Sequence, residues 1–472
     1  MSATSSHGLR AAALGLASGI VIGVASTAPA YSVAVTLGFV TKELGGQSVA
    51  APAVLLLAVL PVLCIAVAFD RLNRWQSNCG TTFAWVTQTM GPWIGWAAGW
   101  TTVAAGALVM ASLAQVAALY SFHFLGLEAL AESRLAVGVL GAAWIGLTTW
   151  VCVRGIEPTA RMQYALLAVE LVALGLFAVA ALLFSTGRDA PADALRPALS
   201  WLGVGTISDS AALAGGLAIA VFLYWGWESV LSLNEETRDP QRTPGLAGYL
   251  SLAVLLSTYV LVAVAAQSVH GPAYLAAHAD DVFAALSPQV LAPPWDRLIT
   301  FAVLASAVAS CQTTLLPTAR TLLSMAAAGA LPAPMARIHP VFRTPSVTTW
   351  ILGAASCAWF VAISLASPSV LGDSIDSLGL LVAFSYAITG YACPLAYFKQ
   401  GIRGAKDALL LLVAPLAGAA ALTWVFVRLC VSLANPAALA IIAGVLAVGA
   451  ALALLQFRAA PAFFATRRRP PS

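Results

Sequence analysis

A serine, a threonine and a proline interrupt the first apolar segment of the chain, and residues of these types can bind a solute inside a membrane. Ser26, Thr27 and Pro29 stand near the midpoint of residues 14–40. Proline has no backbone donor and disfavours the helical conformation of the residue before it, so the backbone near Ala28 is expected to unwind. Peptide groups freed inside hydrocarbon cost several kcal/mol each unless they line a polar cavity or meet another helix. The break therefore predicts a binding site.

The groups freed at this break indicate what such a site would bind. The inner half-helix ends in carbonyls, which suit an amine, whereas the outer half-helix begins with free N–H groups and a positive dipole end, which suit a carboxylate. The hydroxyls of Ser26 and Thr27 add hydrogen-bonding groups, and the backbone from Ala25 to Ala28 supplies amide contacts. In the alternative interpretation, both hydroxyls bond back to carbonyls one turn earlier and only bend the helix.

A glycine among aromatic residues marks a second interruption, in the sixth apolar segment. Gly226 lies between Trp225 and Trp227, and Glu228 follows. Glycine lowers helix stability by about 1 kcal/mol relative to alanine and lets a backbone approach a ligand closely. Two interrupted helices five spans apart indicate inverted five-helix repeats that hold a solute at their interface. Kinks that serve helix packing alone are the alternative.

Two acidic residues fall inside apolar segments, Glu170 in the fifth and Glu228 in the sixth. A charge at the bilayer centre costs roughly 2.5 to 3.5 kcal/mol, so such residues usually face a cavity or stay protonated. Both are candidates to carry a proton, and the alternative for each is a neutral acid hydrogen-bonded to a neighbouring helix. Sodium is the competing coupling ion, and four hydroxyls of the eighth segment are available to it: Ser306, Ser310, Thr313 and Thr314. No carboxylate is clearly paired with them, which favours protons or exchange.

Composition sets the elements that must position these residues. Hydrophobic residues make up 60% of the 472 positions and charged residues only 9%, so the chain is predicted to be an all-α polytopic membrane protein. Apolar runs long enough to cross a bilayer as helices occur twelve times. They are residues 14–40, 49–69, 93–120, 135–153, 162–184, 211–232, 247–268, 298–316, 347–366, 375–397, 408–431 and 436–457.

Basic residues predict the orientation. With a cytoplasmic amino terminus, 17 of the 23 Lys and Arg residues lie on the cytoplasmic side of the cell membrane. Both tails, residues 1–13 and 458–472, are then cytoplasmic, and the run Arg467–Arg469 is expected to contact anionic lipid rather than nucleic acid. The connection 317–346 is predicted to hold a separate short amphipathic helix that ends at Gly329 and Pro332.

Metal sites are not indicated by the sequence. The seven cysteines form no CxxC pair, and they are interpreted as packing residues. The outer segment between the seventh and eighth runs carries four residues that are interpreted as an ordinary solvated loop rather than a cation site: His270, His278, Asp280 and Asp281. No cofactor is expected beyond a coupling ion, which is a proton or sodium.

Four stretches of the chain resemble the amino acid-polyamine-organocation transporter family. They are PAYSVAVTLG in the first span, FDRLNRWQSNCGTTFAWVTQTMGPWIGWAAGW entering the third, VRGIEPTARMQYALLAVEL entering the fifth, and FLYWGWESVLSLNEETRDPQRTPG in the sixth. The resemblance implies the bacterial leucine-transporter type of fold. Its ten-helix core would be residues 14–397, with inverted repeats at about 14–184 and 211–397, and residues 408–457 would form two accessory helices.

The resemblance also implies roles for individual residues. Phe222 would be an aromatic gate, and the backbone from Tyr224 to Gly226 would hold an ammonium group. Glu228 stands where many members have an acid associated with a proton-linked gate, and Glu170 lies in the region where some proton-coupled relatives place a lysine. The sequence Ala25-Ser26-Thr27-Ala28-Pro29 departs from the glycine-serine-glycine signature of many members, and the usual recognition of a substrate carboxylate depends on that signature.

The sequence therefore predicts a secondary transporter that moves amino acids or related amines by alternating access, with protons as the favoured coupling ion. A polyamine or amino acid exchanger is the alternative within this class. A membrane-embedded enzyme is disfavoured because the five histidines are dispersed and no metal-protease string occurs. A channel is disfavoured because polar residues occur as isolated points rather than as rings along a pore.

Overall fold

The fold is a bundle of membrane-spanning helices. The computed structural model describes residues 7–207, 209–366, 370–398, 401–432 and 436–465, and Arg467–Arg469 lie outside these ranges. The described residues contain twelve helical spans of sufficient length and apolarity, which confirms the predicted all-α polytopic fold. In chain order the spans are Leu16–Glu43, Ala51–Trp75, Pro92–Leu125, Arg134–Arg154, Thr159–Thr186, Ser210–Glu236, Thr243–Ala277, Asp296–Ala327, Ser346–Ala366, Ser377–Tyr397, Gly404–Val431 and Pro436–Ala459.

Several spans are composites of shorter elements. The first and sixth are each built from two helices. The eleventh begins with the short helix Gly404–Ala408 and continues through a π-helical turn, Leu409–Val413. Further short helices lie between the spans at Thr82–Met90, Glu128–Ala131 and Val282–Val290, with 3-10 turns at Leu199–Leu202, Val204–Thr206 and Ala333–Ala336. Another short helix, Ala462–Ala465, follows the last span. The fifth and tenth spans extend beyond their apolar windows, as helices Ile156–Thr186 and Val370–Tyr397. We call the side of the bundle that carries residues 7–13 the inner side.

The eighth span corrects one sequence prediction. The separate amphipathic helix expected after residue 316 does not exist, because the eighth span continues through Pro317 to Ala327 before Gly329 turns the chain. Pro317 cannot donate to the carbonyl of Thr313 four residues earlier. That carbonyl instead accepts a hydrogen bond from the Ser26 hydroxyl at 3.2 Å. A side chain of another span thus satisfies the group that the proline leaves free.

The first span breaks where the sequence predicts. Its inner half, Leu16–Ser26, ends at Thr27, and its outer half begins at Pro29. Between them Ala28 has φ 48° and ψ 67°, the left-handed conformation that L-residues other than glycine rarely adopt. Pro29 excludes the helical conformation from Ala28 and needs no donor partner as the first residue of the outer half.

The sixth span breaks at the glycine. Its outer half, Ser210–Leu223, ends at Tyr224, and a 3-10 helix from Trp227 to Glu236 forms its inner half. Gly226 has φ 117°, a backbone conformation that is strained for any residue with a Cβ atom. The Tyr259 hydroxyl of the seventh span donates to the Leu223 carbonyl at 2.9 Å, which fixes the end of the outer half.

The two breaks touch each other. A Cβ atom added at Gly226 would lie 2.7 Å from the carbonyl oxygen of Ser26, a distance that real Cβ atoms essentially never show. The inner ends of the same spans are also joined, because the Leu14 N–H donates to the Glu236 carbonyl at 2.9 Å and the Arg238 N–H to the Leu14 carbonyl at 3.0 Å. The first and sixth spans are therefore held together both at the breaks and at their inner ends.

Gly226→Ala tests whether this contact is required. The added methyl group must strain a left-handed residue, at about 1 to 3 kcal/mol, and must also push Ser26 away. We expect the midpoint of thermal inactivation of the detergent-purified protein to fall by several degrees and its transport to be lost. Gly138→Ala in the fourth span is the matched control, since nothing lies within 4 Å of a Cβ there. Equal stability of the two variants would contradict the contact.

Candidate functional site

The N–H groups of the first break are all bonded within the protein. The inner half continues for one turn beyond Ser26, because the Thr27 N–H donates to the Val24 carbonyl and the Ala28 N–H to the Ala25 carbonyl, both at 3.1 Å. The Thr27 hydroxyl donates to the same Val24 carbonyl at 2.7 Å. This is the back-bonding that the alternative interpretation of the sequence described, and it leaves the Thr27 hydroxyl without a free proton.

Glu170 occupies the start of the outer half-helix. Its Oε1 accepts hydrogen bonds from the Ala30 N–H at 2.7 Å and from the Ser306 hydroxyl at 2.6 Å, while the Tyr31 N–H donates to that hydroxyl oxygen at 3.3 Å. A carboxyl group at this position is stabilised by the free N–H groups and the helix dipole. The N–H groups expected to receive a substrate carboxylate are thus already bonded to Glu170 and Ser306.

The second break differs from the first, because two of its backbone carbonyls are free of hydrogen bonds in the described part of the chain. The Gly226 N–H donates to Glu228 Oε2 at 3.1 Å, and the Tyr386 hydroxyl of the tenth span donates to the same oxygen at 2.5 Å. The carbonyls of Tyr224 and Trp225 accept no hydrogen bond from the described part of the chain. Of these groups, Trp225 and Glu228 line a cavity beside the break.

Two cavities meet at these breaks. The larger lies on the inner side, where Glu228, Tyr386 and Ser232 line it. The smaller lies on the outer side, between Tyr31 of the first span and Phe222 of the sixth. Three residues line both cavities: Ser26, Trp225 and Thr314. Phe222 and Trp225 stack at 5.9 Å between ring centroids with their planes 30° apart.

The structure places the other predicted residues as follows. Thr27 and Ala28 line the smaller cavity, and Gly226 lines the larger. Ala25 is fully buried and lines neither cavity. Tyr224 lines neither cavity, and its hydroxyl donates to the Leu55 carbonyl at 3.1 Å. Most of the predicted set therefore surrounds one pair of cavities.

The two acids differ in access. Glu228 lines the larger cavity, whereas Glu170 lines neither and is completely buried. Trp227 also faces away from both cavities and packs edge-on against Phe69 at 5.5 Å, as a packing residue does. One of the two acids is thus exposed to the contents of a cavity, and the other is part of the helix break.

Sequence reasoning missed two aromatic residues of the site. The buried hydroxyl of Tyr31, beside the smaller cavity, has no hydrogen-bond partner in the described ranges. The Tyr386 hydroxyl donates a hydrogen bond to Glu228, which lies 158 positions earlier in the chain. The position of Tyr31, two residues after Pro29, is a usable signal in the sequence, because the first turn of the outer half-helix must face the break. Tyr386 stands in an ordinary apolar span and gives no such signal.

The electrostatics of the two cavities are one-sided. Among the described residues that line them there is no Lys, Arg or His, and Glu228 is the one carboxylic acid. Serine and threonine hydroxyls supply most of the remaining polar groups. The lining thus offers acceptors and aromatic faces to a positive charge, and no basic group to a negative one.

The outer loop before the eighth span is more ordered than the sequence suggested. His270 bonds through its two ring nitrogens to Asp193 at 2.9 Å and Gln289 at 2.8 Å. Asp281 caps the helix Val282–Val290 by accepting from the Ala284 N–H at 2.9 Å, and it also accepts a hydrogen bond from Tyr120. Burial raises the pKa of the Asp281 carboxyl above its usual value. These side chains hold the loop in place.

Comparison with known proteins assigns the family. The model of a family described as amino acid permease matches residues 11–457. An uncharacterised transporter of Mycobacterium tuberculosis is 30% identical over 337 residues, which cover 71% of this chain and 70% of that protein. The vacuolar cationic amino acid transporter 2 of Arabidopsis thaliana is 26% identical over 78% of this chain and 57% of its own length. The branched-chain amino acid permease BcaP of Lactococcus lactis is 22% identical over 71% of this chain and 72% of its own length.

The family match covers the two broken spans and both cavities, and it agrees with the resemblance carried by the sequence motifs. The relatives are named as transporters or permeases, and none of the three is named as an enzyme. The chain belongs to the amino acid permease family and is a multi-pass membrane transporter.

Proposed function

We propose that the protein is a secondary active transporter that moves amino acids or related amines across the cell membrane by alternating access, coupled to protons. Both termini lie in the cytoplasm in this proposal, as the basic residues indicate. The observation that carries it is the pair of cavities, one on each side of two touching helix breaks, that share Ser26, Trp225 and Thr314. A solute in the shared region is reached from either side in turn when one cavity opens and the other closes.

The aromatic pair supports a gate between the cavities. Phe222 lines only the smaller cavity, whereas its stacking partner Trp225 lines both. A small movement of the Trp225 ring is therefore sufficient to join or separate the two spaces.

The polar groups support recognition of the substrate through its ammonium group. The free carbonyl of Trp225 and the carboxyl group of Glu228, both residues that line the larger cavity, accept hydrogen bonds from an amine, and aromatic faces attract a cation by about 0.5 to 2 kcal/mol. A carboxylate meets neither a basic side chain nor a free N–H of the first break. The ammonium group is thus the part of the substrate that the site holds, and a carboxylate is not required.

Pairs of compounds that differ by one carboxylate test this recognition. We expect histamine, putrescine and phenethylamine to compete for uptake at least as strongly as histidine, ornithine and phenylalanine. The physical reason is that removal of the carboxylate sacrifices no contact and spares its desolvation. The measurement is inhibition of counterflow in proteoliposomes that have been preloaded with each amino acid or amine in turn. Competition by the amino acids alone would contradict ammonium-centred recognition and still leave a transporter, whereas no saturable counterflow of any compound would contradict transport itself.

Glu228 is the better candidate for proton coupling. It lies against the larger cavity and accepts from the Gly226 N–H, so protonation weakens a hydrogen bond that fixes the second break. Glu170 is sealed from both cavities and bonded to the first break, so a proton reaches it only when the break itself rearranges. We assign coupling to Glu228 and a positioning role to Glu170.

Two matched glutamine variants separate these roles. We expect Glu228→Gln to retain counterflow but to lose the stimulation of uptake by an inward proton gradient and to show a flat pH profile. Glu170→Gln keeps an oxygen that accepts from the Ala30 N–H, so its pH profile is expected to match that of the unmodified protein. The measurement is initial uptake into proteoliposomes at several values of pH, with an imposed proton or sodium gradient. Loss of the pH response in Glu170→Gln alone would move the coupling to Glu170, and stimulation by sodium alone would replace the proton.

A further inference from the structure

Three side chains with metal-binding atoms meet on the inner side, away from both cavities. His7 Nδ1, Cys79 Sγ and a carboxylate oxygen of Glu235 all lie within 4.8 Å of one another. They belong to the amino-terminal segment, the loop between the second and third spans, and the inner end of the sixth span. Cys79 and Glu235 are 72 and 228 positions from His7, so no spacing pattern in the sequence indicates this set.

The distances suit a tetrahedral ion. Zinc binds nitrogen and oxygen at about 2.0 to 2.2 Å and sulfur at about 2.3 Å, which separates ligand atoms by about 3.3 to 3.6 Å. His7 Nδ1 lies 3.7 Å from Cys79 Sγ and 2.8 Å from Glu235 Oε1. The nitrogen and sulfur are thus correctly spaced, and the carboxylate must move outward by about half an ångström to admit the ion. A fourth position remains for water.

The three groups are enclosed and oriented. Cys79 is fully buried, and the side chains of His7 and Glu235 are 12% and 5% exposed. The Cys79 N–H donates to Glu235 Oε1 at 3.0 Å, and the His7 N–H donates to Glu235 Oε2 at 3.3 Å. Backbone groups thus hold the carboxylate in place next to the sulfur and the imidazole, in the way that outer-shell hydrogen bonds orient metal ligands. An ion reaches the set along the partly exposed edge of His7.

The surrounding charge suits a divalent cation. The nearest buried base, Arg320, is paired through Nε with Glu236 Oε2 at 2.5 Å, so its charge is balanced. A carboxylate at Glu235 and a thiolate at Cys79 together match the charge of a divalent ion. A nitrogen, sulfur and oxygen donor set favours zinc-like ions over magnesium or calcium, which prefer all-oxygen sites.

We propose that His7, Cys79 and Glu235 form a binding site for a divalent transition-metal ion of the Zn²⁺ class, and that the bound ion slows transport. The ion fastens the amino-terminal segment to the inner end of the sixth span, next to the backbone bonds that already join Leu14 to Glu236 and Arg238. Opening of the larger cavity to the inner side requires these segments to move relative to the loop that carries Cys79. The slowing of transport rests on the proposed function, whereas the binding of the ion does not.

Spectroscopy with cobalt tests the binding. We expect the purified protein, with any affinity tag removed, to bind one Co²⁺ with a sulfur-to-metal charge-transfer band that Zn²⁺ abolishes by displacement. Cys79→Ser should lose the band, and His7→Ala should weaken binding at least tenfold. Cys430→Ser, at an exposed thiol of the eleventh span, is the control that should keep both. A band that survives in Cys79→Ser, or the absence of a band in the unmodified protein, overturns the site. Because Cys79 is buried, the partly exposed His7 supplies a second test if the serine variant does not fold.

Transport assays test the consequence. We expect Zn²⁺ at saturating concentration on both faces of proteoliposomes to lower the initial rate of counterflow several-fold in the unmodified protein. The rate in His7→Ala should be unchanged under the same conditions, and Mg²⁺ should affect neither protein. Equal inhibition of both proteins by Zn²⁺, or binding without any change in rate, overturns the proposed effect on transport. Absence of counterflow in metal-free samples instead contradicts the proposed function, because the binding assay stands independently of it.

Discussion

The structure depends on one close approach, between Gly226 of the sixth span and the Ser26 carbonyl of the first. A side chain at position 226 would collide with that carbonyl at 2.7 Å, so the absence of a Cβ atom is what lets the two unwound segments share one layer of the bundle. Each segment alone would expose peptide groups to hydrocarbon, at a cost of several kcal/mol per group. Their contact places these groups beside one another and beside two cavities, so the same feature that stabilises the breaks also creates the site.

Each break is hydrogen-bonded to one glutamate, which accepts from a backbone N–H that the break leaves free. Glu170 bonds to the Ala30 N–H at the start of an outer half-helix, and Glu228 bonds to the N–H of Gly226. The donors of both breaks are thereby used, whereas the carbonyls of Tyr224 and Trp225 are left free. The remaining polarity around the breaks is therefore negative. The same partition gives the acids different surroundings, because Glu228 faces a cavity and Glu170 does not.

The sequence predicted what is decided locally and missed what depends on long-range packing. Pro29 and Gly226 located both breaks, because the conformations that they impose or permit do not depend on neighbours. The role of Glu170 as a cap of the outer half-helix was not predictable, because Ala30, whose N–H donates to it, lies 140 positions away. From the sequence alone, Glu170 was equally compatible with a role as proton carrier. The continuation of the eighth span through Pro317 was missed for the same reason, since Ser26, 287 positions from Thr313, supplies the hydrogen bond that the proline ring removes.

A buried ion pair joins the inner ends of the sixth and eighth spans, and this has an energetic consequence. Arg320 of the eighth span and Glu236 of the sixth are fully buried and paired, yet Arg320 Nη2 and Glu236 Oε1 have no partner in the described ranges. A buried ion pair with unsatisfied atoms adds little net stability, because desolvation offsets much of the attraction. When such an ion pair separates and becomes exposed to water, hydration of the two charges offsets the loss of their attraction. An apolar interface of the same size would expose hydrophobic surface on opening, with no such offset. This polar contact thus allows the inner ends of the sixth and eighth spans to part while the tight approach at Gly226 persists.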